Sequence, residues 1–250
     1  MVYLDVGAGT LEVWVECGGK RLQEYKLTEV SGPKMKECHV PSEENKEFRV
    51  CFKKAGPGFA PVFESHRFDV FLDGKWVAAK PLIAEQHNST YYIDGVFISA
   101  TERKTFVFSK LDLRGQNVAS CPTPSYDLRY ADVVLGNIEE DDISFTHPGA
   151  LDSLGTIRIC LQAVYLHNSV FHAPTDTDLP SNTPISERAK KAGAHASRLG
   201  AVRSSQSRWR QSWAIPGYPK HEVTFRYGPI GAPVPLIYTP GLIRAPRSFT

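Results

Sequence analysis

Apolar and polar positions alternate along much of this chain with a period of two, the spacing of a strand that buries one face. Leu11–Glu16 reads LEVWVE, CGGK then supplies a glycine turn, and LQEYKL follows, which predicts a hairpin. Lys36–Val40 (KECHV) and Glu47–Phe52 (EFRVCF) predict a second pair joined by PSEEN. The run HRFDVFLDGKWVAA carries Asp73–Gly74 between two alternating segments, a strong hairpin signal. Tyr91–Ile98 and Lys104–Leu111 continue the series. Turn signals spaced about 8–12 residues apart predict a sandwich or barrel.

The second half is less regular. Gly115–Ala150 reads as a long excursion over a sheet edge and holds the acidic cluster Glu139, Glu140, Asp141 and Asp142. Leu154–Leu166 is the most strand-like run of all. Ile157, Ile159, Leu161 and Ala163 share one face, and Arg158, Cys160, Gln162 and Val164 share the other. His172–Pro184 is a loop rich in Pro, Thr and Asp, Glu222–Gly228 is a last strand, and the Pro-rich tail beyond it lies along the surface. With 18 Pro and 19 Gly, long helices are not expected. The fold expected is all-β: sandwich-like antiparallel sheets with Greek-key-type connections, one core, and an irregular basic, Pro-rich C-terminal extension. Residues 1–170 form the core, 171–215 a Pro/Ser loop and basic segment, and 216–250 a closing strand and tail that complete the same domain. A length of 250 residues suits one all-β domain.

Charge changes the picture more than composition does. The chain has a net charge of +2, but residues 181–250 carry 11 basic and 2 acidic side chains, while the first 180 carry 18 and 25. This polarity points to an acidic partner or to pairing between the two parts of the chain. It is concentrated in Glu187–Arg210, which holds seven cations (Arg188, Lys190, Lys191, Arg198, Arg203, Arg208 and Arg210) and a single acid, Glu187. Ser186 and Gly193 are suited to start and stop a short helix there. After Gly200, the arginines are interleaved with Trp209 and Trp213. Arginines contact phosphates and tryptophan stacks on bases, so Arg188, Lys190, Lys191, Arg198, Arg203, Arg208, Trp209 and Arg210 are the candidate nucleic-acid or polyanion site. The competing reading is a solvated connection whose tryptophans pack on the sandwich, with the Glu139–Asp142 cluster neutralising its charge.

Catalytic chemistry finds little support. The sequence has no GxSxG, HExxH, P-loop or GxGxxG motif, and no two histidines stand at i, i+4. His167 and His172 bracket NSVF, a spacing better read as a loop pair than as metal ligands. Cys38 is followed by His39, but neighbours on a strand point to opposite faces and form no dyad. The five cysteines are widely spaced without a CxxC, and read as reduced thiols. No signal peptide is evident, and no run approaches the roughly 20 apolar residues of a membrane span. An intracellular location follows, with a silent sequon at Asn88. Neither cofactor nor metal is expected.

The order of these motifs resembles an uncharacterised family of fungal proteins, abundant in mushroom-forming fungi and known as a domain of unknown function. The likeness rests on VWVECGGKRLQEYKL, ECHVPSEENKEFRVCFKK, FVFSKLDL, LGTIRICL, SERAKKAGAHASRLG and VTFRYGPIGAPVPLIYTPGLI, and spans Val13 to Ile243. The resemblance implies a β-rich domain and no catalytic residues. It also implies that SERAKKAGAHASRLG is part of the folded domain, which leaves AVRSSQSRWR as the better candidate for a free basic arm. Three functions are open for a non-enzymatic protein of this kind. The first is binding to nucleic acid or another polyanion through the basic segment. The second is interaction with another protein, or self-assembly, through sheet edges or the Pro-rich tail. The third is carbohydrate binding or carbohydrate chemistry on a sandwich face, with Trp76, Tyr91 and Tyr92 as stacking platforms.

Overall fold

The computed structural model describes residues 1–6, 9–30, 34–55, 65–83, 89–110, 153–167, 195–205 and 211–229. These form fifteen strands among the described residues: β1 (Val2–Asp5), β2 (Thr10–Cys17), β3 (Lys20–Arg21), β4 (Tyr25–Glu29), β5 (Met35–Ser42), β6 (Glu47–Ala55), β7 (Ser65–Leu72), β8 (Lys75–Ile83), β9 (Tyr91–Ile93), β10 (Gly95–Phe97), β11 (Glu102–Lys110), β12 (Thr156–His167), β13 (His195–Ser204), β14 (Gln211–Ala214) and β15 (His221–Pro229). One sheet runs β1-β2-β6-β11-β10, with β13 on β11, β3 on β2 and β9 on β6. The other runs β4-β5-β15-β12-β7-β8, with β14 on β12. The expected all-β class holds. The second sheet is mixed rather than antiparallel throughout, because β5 and β15 pair in parallel from Glu222↔Met35 to Pro229↔Ser42.

The two sheets share one apolar core. Leu11, Val13 and Val15 on β2, and Phe48, Val50 and Phe52 on β6, meet Phe68, Val70 and Leu72 on β7, Ile157, Ile159 and Leu161 on β12, and Val223 and Phe225 on β15. Phe52 and Phe68 stack across the two sheets with centroids 3.7 Å apart. Alternation placed these side chains correctly: Ile157, Ile159, Leu161 and Ala163 are all buried, and Arg158 on the opposite face lies over the Phe71 ring at 3.8 Å.

Strand partners depart from the expected hairpins in two places. Only the two-residue β3 returns along β2; the chain then crosses, and β4 pairs with β5 in the other sheet. Lys36–Val40 and Glu47–Phe52 do not pair with each other, since β5 lies in one sheet and β6 in the other. Asn45, at φ 61°, lies in the connection between them. The hairpin at Asp73–Gly74 holds, with both residues left-handed (φ 49° and 83°) and Leu72 opposite Lys75. In the first sheet the β11–β6 ladder covers just Phe106↔Phe48 and Val107↔Glu47 among the described residues, while β9 joins β6 and β10 joins β11.

Candidate functional site

The basic segment contributes a strand. β13 occupies His195–Ser204 and pairs with β11 from Lys110↔His195 to Glu102↔Ser204. Its first residues are buried and its last four, Ala201–Ser204, are exposed. The change falls at a β-bulge on β13, where Gly200 and Ala201 stand against the single Thr105 between Phe106↔Leu199 and Lys104↔Val202. Gly200 sits there because a Cβ would lie 2.5 Å from Val107 Cγ2 and 2.6 Å from Thr105 Oγ1.

The buried start of β13 is anchored to both sheets. Ser42 Oγ on β5 lies 2.7 Å from His195 Nδ1, and Ser109 Oγ donates to the Ala196 carbonyl at 3.2 Å. Burial holds the His195 imidazole below its ordinary range, and Lys110 adds to this against the pull of Glu44. Ser197 is fully buried and donates twice to Asp73 Oδ2, from its backbone N at 2.8 Å and its Oγ at 2.5 Å. The same carboxylate accepts from Gly155 N at 2.8 Å, Thr156 N at 3.2 Å and Tyr227 OH at 2.8 Å. One side chain in the β7–β8 turn therefore holds the starts of β12 and β13 and the β15 tyrosine. Burial pushes the Asp73 carboxyl up, opposed by the donors from Ser197, Tyr227 and Thr156. Nothing local in the sequence marks this role, because Asp-Gly turns are usually solvent-facing.

Two of the eight predicted site residues are placed, both on β13. Arg198 Nη2 donates to Asn45 Oδ1 at 3.0 Å, and Arg203 Nη2 to Glu47 Oε2 at 2.7 Å. The arginines thus reach the connection before β6 and the first residue of β6. Thr105 Oγ1 donates to the other Glu47 oxygen at 3.1 Å. Arg203 is 56% exposed and Glu47 41%, so this pair contributes little to stability. Arg188, Lys190, Lys191, Arg208, Trp209 and Arg210 lie outside the described residues, as do the Ser186–Gly193 helix and the Glu139–Asp142 cluster. Of the free arm expected from Ala201 to Arg210, Ala201–Ser204 belong to β13, and residues 206–210 lie outside the described residues. A run of Arg, Ser and Gly reads as a connection on composition alone. Pairing with β11 overrides that tendency.

The other candidate groups are arranged as follows. Cys38, Cys51 and Cys160 are buried, and none of the described cysteines forms a disulfide. Burial pushes the Cys38 and Cys51 thiols up to about 12 and Cys160 to about 11, which keeps them protonated and unreactive. Cys38 and Cys51 belong to different sheets rather than to neighbouring strands. His172 and Asn88 lie outside the described residues. Among the described residues, no group of three or more His, Cys, Asp or Glu is placed to hold a metal ion. Of the three aromatics, Tyr91 is buried against Phe52, with centroids 5.5 Å apart, and offers no platform. Trp76 is 43% exposed, with its Nε1 donating to Asp69 Oδ1 at 3.1 Å, and Tyr92 is exposed beneath the Arg49 guanidinium. Among the described residues, no helix is long and apolar enough to cross a membrane.

A family model described as a domain of unknown function (DUF7918) matches residues 10–229. The chain belongs to that family. The DUF7918 match begins at the first residue of β2 and ends at the last residue of β15, so it takes in β13 and every described strand except β1. Neither the curated proteins nor the solved structures yield a match.

Proposed function

We propose that this chain is a non-enzymatic, intracellular binding domain that engages an acidic partner, nucleic acid or another polyanion, through β13 and the basic sequence around it. The observation that carries this reading is the asymmetry of β13. Its start is locked between the sheets by Ser42, Asp73 and Ser109, while its end presents Arg203 on an exposed stretch whose strand partner among the described residues is β11. A rigid base next to exposed arginines suits the capture of a charged backbone, because little ordering entropy is lost on binding. The sequence on either side supplies Arg188, Lys190, Lys191, Arg208 and Arg210, and Trp209 adds a surface on which a base stacks. Glu47 and Asn45 occupy Arg203 and Arg198 in the unbound chain, and phosphates displace them at modest cost because these contacts are exposed. The domain is a single unit in this reading, with residues 171–215 bearing the site and residues 216–250 closing the fold.

Fluorescence anisotropy with labelled single-stranded RNA and DNA tests the reading. Affinity is expected to fall linearly with the logarithm of salt, with a slope of about −0.7 per phosphate contacted. Reversing Arg198 and Arg203 together to Glu reduces that slope by about 1.4. Absence of binding to RNA, DNA and heparin at low salt refutes it.

A further inference from the structure

β11 and β13 place two arginines directly opposite one another, because Arg103 pairs with Arg203 in their ladder. Like charges at facing positions destabilise a sheet, yet the fold keeps this pair, just beyond the buried stretch of β11. Both side chains point away from the core. Phe106 faces the core and Thr105 bonds Glu47 on the other face, so Arg103, two positions from Thr105, shares that outer face. A different carboxylate holds each arginine. Arg203 Nη2 donates to Glu47 Oε2 at 2.7 Å, and Arg103 Nη1 donates to Asp94 Oδ1. The Asp94 contact leaves the Nε–Nη2 edge of the Arg103 fork for another acceptor. Arg103 Nε is buried and has no hydrogen-bond partner among the described residues. An unsatisfied donor of this kind is a cost that a bound ion removes, and the flat edge of a guanidinium fits two oxygens of a phosphate.

A stacking surface stands beside the pair. Tyr91 and Ile93 face the core, so Tyr92 between them faces outward. Asp94, which holds Arg103, follows two positions later, at most about 7 Å along the chain. Tyr92 is exposed, with Arg49 Cζ 5.0 Å and Lys80 Nζ 5.3 Å from its ring centroid. Arg49 is itself fixed, since its Nε donates to Glu16 Oε2 at 2.7 Å. An unpaired base stacks on an aromatic ring and on a guanidinium plane alike. A polyanion without bases gains nothing from that surface. The phosphate edge and the stacking surface together therefore choose the occupant.

We propose that the acidic partner is a single-stranded nucleic acid that crosses the outer face of the first sheet, with one phosphate between Arg103 and Arg203 and the adjoining base stacked on Tyr92 and Arg49. This inference rests on the polyanion reading above and narrows it. Asp94 stays on Nη1 and orients the Arg103 fork toward the phosphate.

Fluorescence anisotropy with a labelled oligothymidylate, and with an abasic oligomer of the same length, tests the proposal on the full chain. Tyr92→Ala is expected to weaken oligothymidylate binding about fivefold or more while leaving the abasic oligomer within about twofold of wild type, and Tyr92→Phe to keep both. Arg103→Gln should lower the salt slope by about 0.7 for either oligomer. Tyr92 is exposed, so its variants decide the matter even where Arg103→Gln lowers the melting temperature. Equal loss on both oligomers in Tyr92→Ala, or loss on neither, overturns the proposal. So does a salt slope that Arg103→Gln leaves unchanged while reversal of Arg198 and Arg203 lowers it, and so does binding to heparin without binding to oligothymidylate. Each of these leaves the broader polyanion reading standing, whereas a wild type that binds neither oligomer nor heparin removes both.

Discussion

Replacing Asp73 by Asn probes the contact that joins four elements through one side chain. In the native fold three backbone donors, Ser197 N, Gly155 N and Thr156 N, point at its two oxygens together with two hydroxyls. An asparagine keeps one oxygen and turns an NH2 group toward the other donors. With that NH2 at the Oδ2 position, the hydroxyls of Ser197 and Tyr227 can rotate to accept from it, and only Ser197 N–H loses its acceptor. In the opposite orientation two backbone donors, on Gly155 and Thr156, are orphaned. The first arrangement is therefore preferred, at about 1–3 kcal/mol for one unsatisfied buried donor. Relief from burying a carboxylate offsets part of this and keeps Asp73→Asn near the lower end. Asp73→Ala orphans all three backbone donors, about 3–9 kcal/mol, which is comparable with the whole stability of a domain. Urea denaturation followed by circular dichroism should show Asp73→Asn folded with a lowered midpoint, and Asp73→Ala unfolded or nearly so. An unfolding free energy for Asp73→Ala within about 0.5 kcal/mol of wild type, the spread of ordinary surface substitutions, would refute the role of this side chain.

Two further outcomes follow from packing and from burial. Gly200→Ala should cost about 1–3 kcal/mol, because its methyl group enters the space of the buried Val107 and Thr105 side chains. Gly228→Ala, where a Cβ meets open space, should be neutral or slightly stabilising, and equal effects at the two sites would contradict the close-approach argument. The imidazoles of His39, His66, His195 and His221 are all held below their ordinary range, by burial first; at His66 the neighbouring His221 and Lys54 add to it. The folded values lie below the unfolded one, so stability from these groups is present above about pH 6.5 and lost as pH falls through the folded values. A melting temperature that stays level or rises from pH 7 to pH 5 would contradict this, and His66→Leu should flatten the acid limb.

Much of the architecture was legible because alternation is a local property. Which side chains of β2, β6, β12 and β15 face the core follows from a period of two, and the left-handed Asp73–Gly74 turn follows from residue types that tolerate positive φ. Strand partnership is not local. β5 and β6 show the same alternation and face the same core, so nothing in KECHV or EFRVCF distinguishes pairing within one sheet from facing across two. β13 was hidden for a related reason: its exposed half carries no apolar alternation and exists as a strand because β11 supplies the ladder.

The sequence by itself determined an all-β chain, the core faces of its strands, and a strongly basic stretch before the closing strand. Tertiary structure alone decided that Asp73 is a buried acceptor rather than a surface turn residue, and that Arg198 and Arg203 stand on an anchored strand against Asn45 and Glu47. Hydrophobic periodicity is written residue by residue along the chain. A hydrogen bond between Asp73 and Ser197 joins positions 124 residues apart, and only the packing of two complete sheets brings them together.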